Sequence, residues 1–214
     1  MRILVFGDSI TQGFFDEEQG GWCNRLVSLV NKREHDADYE YNKSVVNLGV
    51  SGDTTEDLRK RVRVETESRL LKYPVDDYDV AIVAIGVNDS QFEMDSHENK
   101  IPVERSIENI ANITSILKEY VGKLVFVGLA PVVDERIQPM SWKITHGYSN
   151  DDIARYNQAI KQLAEENKCQ FIDMDDVYEG KGSECLPDGI HPNAEGHRMI
   201  FERVKEALET EGIL

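Results

Sequence analysis

Short apolar runs and longer helical patterns take turns along this chain. Arg2 to Phe6, Ser44 to Leu48, Val80 to Ile85, Lys123 to Leu129 and Gln170 to Ile172 are rich in β-branched and aromatic residues. Several are near-continuous apolar runs, which predicts strands covered on both faces. Ile107, Ile110, Thr114, Leu117 and Val121 recur at three- and four-residue steps, predicting a helix with Pro102 in its opening turn. Ile153, Tyr156, Ile160 and Leu163 repeat that spacing behind Asn150, which is suited to an N-cap. A last helix is expected after Pro192, burying Ile200, Val204, Ala207 and Leu208.

Five strands alternating with helices imply a parallel sheet with helices on both faces, an α/β protein built as a three-layer α/β/α sandwich. No repeat, low-complexity tract or Pro/Gly/Ser linker divides the chain, so residues 1–214 are expected to form a single domain. Residues 131–148 make the longest connection without clear periodicity and carry Met140, Trp142 and Tyr148. Long connections of this kind often serve as substrate lids. In open parallel sheets ligands bind beyond the carboxyl ends of the strands, so the loops leaving each strand matter most.

Composition narrows the function further. The 214 residues are 40% hydrophobic and 30% charged, a globular profile long enough to bury a sizeable core. Forty Asp and Glu against 24 Lys and Arg leave a net charge of −16, which argues against nucleic acid and anionic membranes as partners. No apolar run approaches the roughly 18 residues of a membrane span, and the run at the N-terminus is too short for a signal-peptide core, so a cytoplasmic location is expected. Cys23, Cys169 and Cys185 are odd in number, widely spaced and read as free thiols. His35, His97 and His146 have no ligand-spaced companions; neither a metal nor a phosphate-bound cofactor is expected, since GxGxxG and GxxxxGK[ST] are both missing.

The strand exits carry the chemistry. After the first strand, Gly7-Asp8-Ser9-Ile10-Thr11 places a serine at a strand-to-helix turn, where its hydroxyl is presented and its N–H is free to bind an anion. Alone this reads equally as a polar turn with a capping serine. After the second, Gly49-Val50-Ser51-Gly52-Asp53-Thr54-Thr55 offers close backbone approach at Gly52 and a helix start at Thr54 or Thr55. After the third, Asn88 supplies a neutral N–H donor. Near the C-terminus, Asp188-Gly189-Ile190-His191-Pro192 sets a carboxylate three residues before a histidine that Pro192 keeps out of helix. Acyl transfer needs these parts together: a nucleophile, a base, an orienting carboxylate and oxyanion donors. Asp8 and Asp89 are expected to cap and brace loops, and His197 to lie at the surface or behind the site. Phe14, Phe15 and Trp22 serve equally as packing or pocket walls, and residues 59–63 (Arg-Lys-Arg-Val-Arg) read as a solvated basic face.

Four blocks in order, GDSIT, NLGVSGDTT, GVND and DGIHPN, make the chain similar to the GDSL/SGNH hydrolase superfamily over nearly its whole length. That resemblance implies a flavodoxin-like sandwich with a five-stranded parallel sheet and a serine ester hydrolase without cofactor. It implies Ser9 as nucleophile, His191 as base and Asp188 as its partner. The oxyanion hole would be formed by Ser9 N–H, Gly52 N–H and the Asn88 side chain. Small acyl or carbohydrate O-acetyl esters are the expected substrates. A lysophospholipase or thioesterase with longer acyl chains is the alternative, and a non-catalytic flavodoxin-like binding domain is a more distant one. The acyl pocket and the oligomeric state have no signature in the sequence.

Overall fold

Strand β1 (Arg2–Gly7) runs through the middle of the molecule, its side chains alternating between two buried layers. A computed structural model describes residues 1–38, 40–70 and 79–214. After β1 come α1 (Ser9–Gln12), α2 (Trp22–Asp36), β2 (Ser44–Gly49), α3 (Thr55–Leu70), β3 (Val80–Ala84) and β4 (Phe92–Glu93). There follow α4 (Val103–Leu117), β5 (Lys123–Val127), α5 (Asp134–Ile137) and β6 (His146–Gly147). The chain then forms α6 (Asn150–Glu166), β7 (Gln170–Ile172), α7 (Gly182–Cys185) and α8 (Ala194–Thr210).

The main sheet is parallel, in the order β2-β1-β3-β5-β7. This is the flavodoxin-like order, in which the chain steps to one side of β1 and then crosses to the other. Ile3 and Val5 face a layer made with Trp22, Leu26 and Val30 of α2 and Ile200, Val204 and Leu208 of α8. Leu4 and Phe6 face the opposite layer, with Leu58 and Val62 of α3, Ile110 and Ile113 of α4, and Ile153 and Ile160 of α6. The expected three-layer α/β/α sandwich is therefore the fold. A small antiparallel pair, β4 with β6, lies apart from it and ties Phe92 to Gly147.

Several expectations shift on inspection. Strand pairing stops at Ala84 and Val127, short of the predicted Ile85 and Leu129, yet both of those side chains stay buried. The apolar runs continue because the strand exits are still covered, not because the ladder continues. The N-cap of α6 is Ser149, whose hydroxyl accepts the Asp152 N–H, and not Asn150. Asn150 instead spends its amide on both backbone groups of Val132. Ala207 is only partly buried, at the margin of α8. The basic run on α3 is not simply solvated. Arg61 pairs with Asp53 at 2.7 Å and also donates to the Gly7 carbonyl, while Arg63 reaches Glu119.

Residues 131–148 are largely fastened down. Val133 N–H donates to the Gly189 carbonyl, Asn150 N–H to Asp134, and Arg136 to the carbonyls of Ser183 and Leu186. Ile137, Met140 and Tyr148 are buried, and the longest exposed run is the tip at residues 141–145.

Candidate active site

The site forms where β1, β2 and β3 end. At the end of β1, Gly7 and Gly49 lie so close to α1 that an added Cβ would strike Thr11 at 2.1 Å or the Gln12 nitrogen at 2.3 Å. Only glycines there let α1 wedge between the two strands and begin at Ser9. Asp8 caps this short helix by accepting the Ile10 N–H at 3.0 Å. Ser9 is 5% exposed, with its hydroxyl turned to the loop before α8.

That loop brings in residues from the far end of the chain. Ser9 Oγ lies 3.0 Å from His191 Nε2 across 182 residues of sequence. His191 Nδ1 lies 2.7 Å from Asp188 Oδ2. Asp188 also accepts the backbone N–H of Ile190 at 3.0 Å and of His191 at 2.8 Å. Burial alone would raise this carboxyl. The His191 side-chain bond and the two backbone N–H groups outweigh it and hold Asp188 below the usual carboxylate range. An ionised Asp188 fixes the tautomer with the proton on Nδ1, leaving Nε2 as an acceptor for the Ser9 hydroxyl.

On the opposite side of Ser9, a chain of hydrogen bonds gathers the candidate oxyanion donors. Gln12 Oε1 accepts the Ser51 N–H at 2.8 Å, which pins the β2 exit to α1. Gly52 follows at φ +83°, a left-handed conformation, with nothing within 4 Å of where a Cβ would stand. The Asp53 carbonyl then accepts from Asn88 Nδ2 at 3.0 Å. Asn88 is therefore not a free donor: one of its two N–H groups is engaged and the other remains for a ligand. Its Oδ1 accepts from the Tyr148 hydroxyl at 3.1 Å, and Gln91 Nε2 donates to that hydroxyl at 2.9 Å. The amide is held at both ends, so its orientation does not depend on substrate.

Supporting groups complete the frame. Asp89 is buried at the start of α3, accepting the Thr55 N–H at 3.0 Å and the Thr55 hydroxyl, and burial pushes its carboxyl up to about 6. Thr54 and Asp57 exchange hydrogen bonds as a capping box on the same helix. His197 is fully buried, not at the surface: its Nε2–H donates to the Phe14 carbonyl at 3.0 Å and its Nδ1 accepts the Trp22 N–H at 3.2 Å. Burial lowers its affinity for a second proton. Asp8 backs onto a cavity of about 40 Å³ whose walls include Trp22, Val127, Met174 and Ile200. Burial in that apolar setting pushes Asp8 up to about 7, against the Ile10 N–H and the nearby His191, with Asp89 adding repulsion. The sequence has no local signal for Tyr148, Gln91 or Arg61 as parts of this frame. Their partners lie 57 residues away for the Gln91–Tyr148 pair and eight away for Arg61.

Among the described residues, no helix is long and apolar enough to cross a membrane, and no group of three His, Cys, Asp or Glu could hold a metal ion. Cys23, Cys169 and Cys185 are free thiols.

The sequence profile of the GDSL-like lipase/acylhydrolase family matches residues 5–199. An isoamyl acetate-hydrolyzing esterase of Saccharomyces cerevisiae is 26% identical, over 98% of this chain and 86% of its own length. A GDSL esterase/lipase of Arabidopsis thaliana is 29% identical, over 99% of this chain and 87% of its own. Among solved structures, an acetylxylan esterase of Geobacillus stearothermophilus superposes with a TM-score of 0.69 at 19% identity, covering 96% of this chain and 92% of that one. That last likeness is one of fold.

Proposed function

The chain belongs to the GDSL-like lipase/acylhydrolase family and is a carboxylic ester hydrolase, and we propose that it cleaves short-acyl esters, acetates above all, through an acyl-enzyme on Ser9. The observation that carries this is the line from Ser9 Oγ through His191 to Asp188, at 3.0 Å and 2.7 Å.

The steps follow from these positions. Ser9 Oγ attacks the ester carbonyl as its proton passes to His191 Nε2; Asp188 stabilises the resulting imidazolium. The carbonyl oxygen, now negative, is received by the Ser9 N–H, the Gly52 N–H and the second N–H of Asn88. His191 returns its proton to the alcohol oxygen as the C–O bond breaks. Water then enters, loses a proton to His191 and attacks the acyl carbon, and Ser9 leaves with that proton. Support for a short acyl group comes from two similar proteins that are both acetate esterases by name, the yeast isoamyl acetate-hydrolyzing esterase and the Geobacillus acetylxylan esterase.

Aryl esters from acetate to palmitate test the reading, together with a serine-reactive phosphonate. Turnover falling off beyond butyrate and a phosphonate adduct on Ser9 are expected. A preference for long chains would move the activity to a lysophospholipase or thioesterase type. An unlabelled Ser9 in active enzyme would remove it as the nucleophile.

A further inference from the structure

The proton that His191 returns must reach the alcohol oxygen, so that oxygen stands within about 3 Å of Nε2. The first carbons of the alcohol therefore lie over His191, whatever the acyl group. Three aromatic rings surround that imidazole. The Phe14 centroid is 5.0 Å from it, Phe15 5.6 Å at an interplanar angle of 77°, and Trp142 6.2 Å. Two separate segments supply them, the residues just after α1 and the tip of the 141–145 loop.

Nothing in the core accounts for these rings. Phe14, Phe15 and Trp142 are 44%, 45% and 53% exposed, and Ile144 on the same loop tip is 72% exposed. Clustered exposed aromatics beside a reacting group mark a binding surface more often than scattered surface residues do. The backbone holds two of the rings deliberately. Phe14 donates its N–H to the Ser9 carbonyl at 3.0 Å and offers its carbonyl to buried His197. Phe15 sits at φ +70°, a conformation that a bulky residue adopts only when its surroundings impose it.

We propose that Phe14, Phe15 and Trp142 form the leaving-alcohol subsite, which takes a neutral alcohol presenting a C–H face, as branched alkyl and sugar-ring alcohols do. C–H faces pack on aromatic rings, and these three stand around the imidazole that must hand its proton to the alcohol oxygen. Neutrality follows from the acidic edge of the same region. Beyond Phe15 a surface groove of about 720 Å³ is bordered by Asp16, Glu17 and Asp188 along with Pro187 and Asn193; Asp16 is paired with Arg25 and Asp188 with His191, so Glu17 supplies the exposed negative charge, and among the described residues no cation lines the groove to receive a phosphate-bearing alcohol. This assignment rests on the ester-hydrolase mechanism through Ser9 and His191, and it locates specificity in the alcohol where the earlier reading concerned the acyl group.

Two matched series separate the parts. Methyl, isopentyl and benzyl acetates vary the alcohol; ethyl acetate, propionate and butyrate vary the acyl group. In Trp142→Ala and Phe15→Ala, kcat/KM for isopentyl and benzyl acetate should fall about 10-fold more than for methyl acetate. The ratios within the acyl series should keep their wild-type values. Trp142→Tyr should restore most of the discrimination, which a merely unstable variant would not. Inhibition by free benzyl alcohol should weaken in parallel. An unchanged alcohol ratio, or a change confined to the acyl series, would overturn the assignment. Failure of the underlying mechanism would look different: a wild-type chain without ester turnover, or full activity in Ser9→Ala.

Discussion

The two sides of Ser9 are built on opposite principles. Toward His191 the site is half open, its carboxylate Asp188 satisfied by three N–H donors and held below the ordinary carboxylate range. Toward the sheet the site is sealed, and its carboxylate Asp8, given the Ile10 N–H in an apolar setting, is pushed up to about 7. Two acidic residues flank the Ser9 hydroxyl, and environment alone sets their charge states apart. On the proposed mechanism the open side handles protons and the variable part of the substrate. The sealed side provides fixed geometry, its polar atoms committed to one another before any ligand arrives.

The largest way to break this contrast is to remove the charge from the open side. Asp188→Asn preserves the shape of the turn but takes away the anion that fixes the His191 tautomer. On the proposed mechanism kcat should fall about 10⁴-fold while the melting temperature changes modestly. Near-normal turnover would mean that the Asp188 charge plays no part in orienting the base.

The complementary change acts on the sealed side and is read in stability. The folded pKa of Asp8 lies above its ordinary 3.8. Between roughly pH 4 and pH 7 the native state therefore keeps a proton that the unfolded chain has released, so stability falls as pH rises through that window and levels off above it. Asp188 runs the other way: its lowered pKa adds stability above the ordinary value, and this is lost on acidification. Asp8→Asn keeps the N-cap acceptor and removes the titration. At pH 8 it should stabilise the fold by an amount on the order of 4 kcal/mol, with little change at pH 4. Denaturant unfolding at both pH values measures it, and equal effects at the two would refute the raised pKa.

Next in size is Asn88→Ala, which takes one donor from the proposed oxyanion hole. Loss of such a donor costs about 3–4 kcal/mol of barrier, so kcat should drop about 10²–10³-fold with the fold intact. Full activity on an aryl acetate would remove Asn88 from the hole.

The same contrast explains what the sequence reveals. The strands announce themselves because continuous apolar runs have few other uses; three of the site loops stand out because Gly, Asp, Asn and Ser cluster at strand exits, and the fourth, between α7 and α8, by its Asp188-to-His191 spacing. Helix α3 is nearly silent: beyond Thr55 in its first turn, Leu58, Val62, Thr66 and Leu70 line its buried stripe, amid charged residues that read as a solvated face. Arg61 is hidden in that face because its partner Asp53 lies outside the helix, eight residues back. His197 is likewise ambiguous until α2 and the Phe14 loop are seen on either side of it. The residues that face the substrate are thus written in local motifs, whereas the pairs that hold them, Tyr148 with Asn88 and Gln91 and His197 with Trp22 and Phe14, are long-range and no spacing rule records them.

Tyr148→Phe sharpens the contrast most finely. The Tyr148 hydroxyl donates to Asn88 Oδ1 at 3.1 Å and accepts from Gln91 at 2.9 Å, and its ring is 3% exposed. Removing one oxygen leaves the ring packed and leaves the Asp53 carbonyl still holding Asn88 Nδ2. What is lost is one of the two restraints on the amide, at a net cost of about 1 kcal/mol, the usual worth of a neutral hydrogen bond. If preorganisation is what this side contributes, that cost falls on the transition state, where the second Asn88 N–H must already point at the forming oxyanion. A drop of about fivefold in kcat with KM unchanged is therefore expected on a short-chain acetate. A rise in KM at constant kcat would instead place Tyr148 against the bound ester, and the sealed side would then have to be counted as part of the acyl pocket.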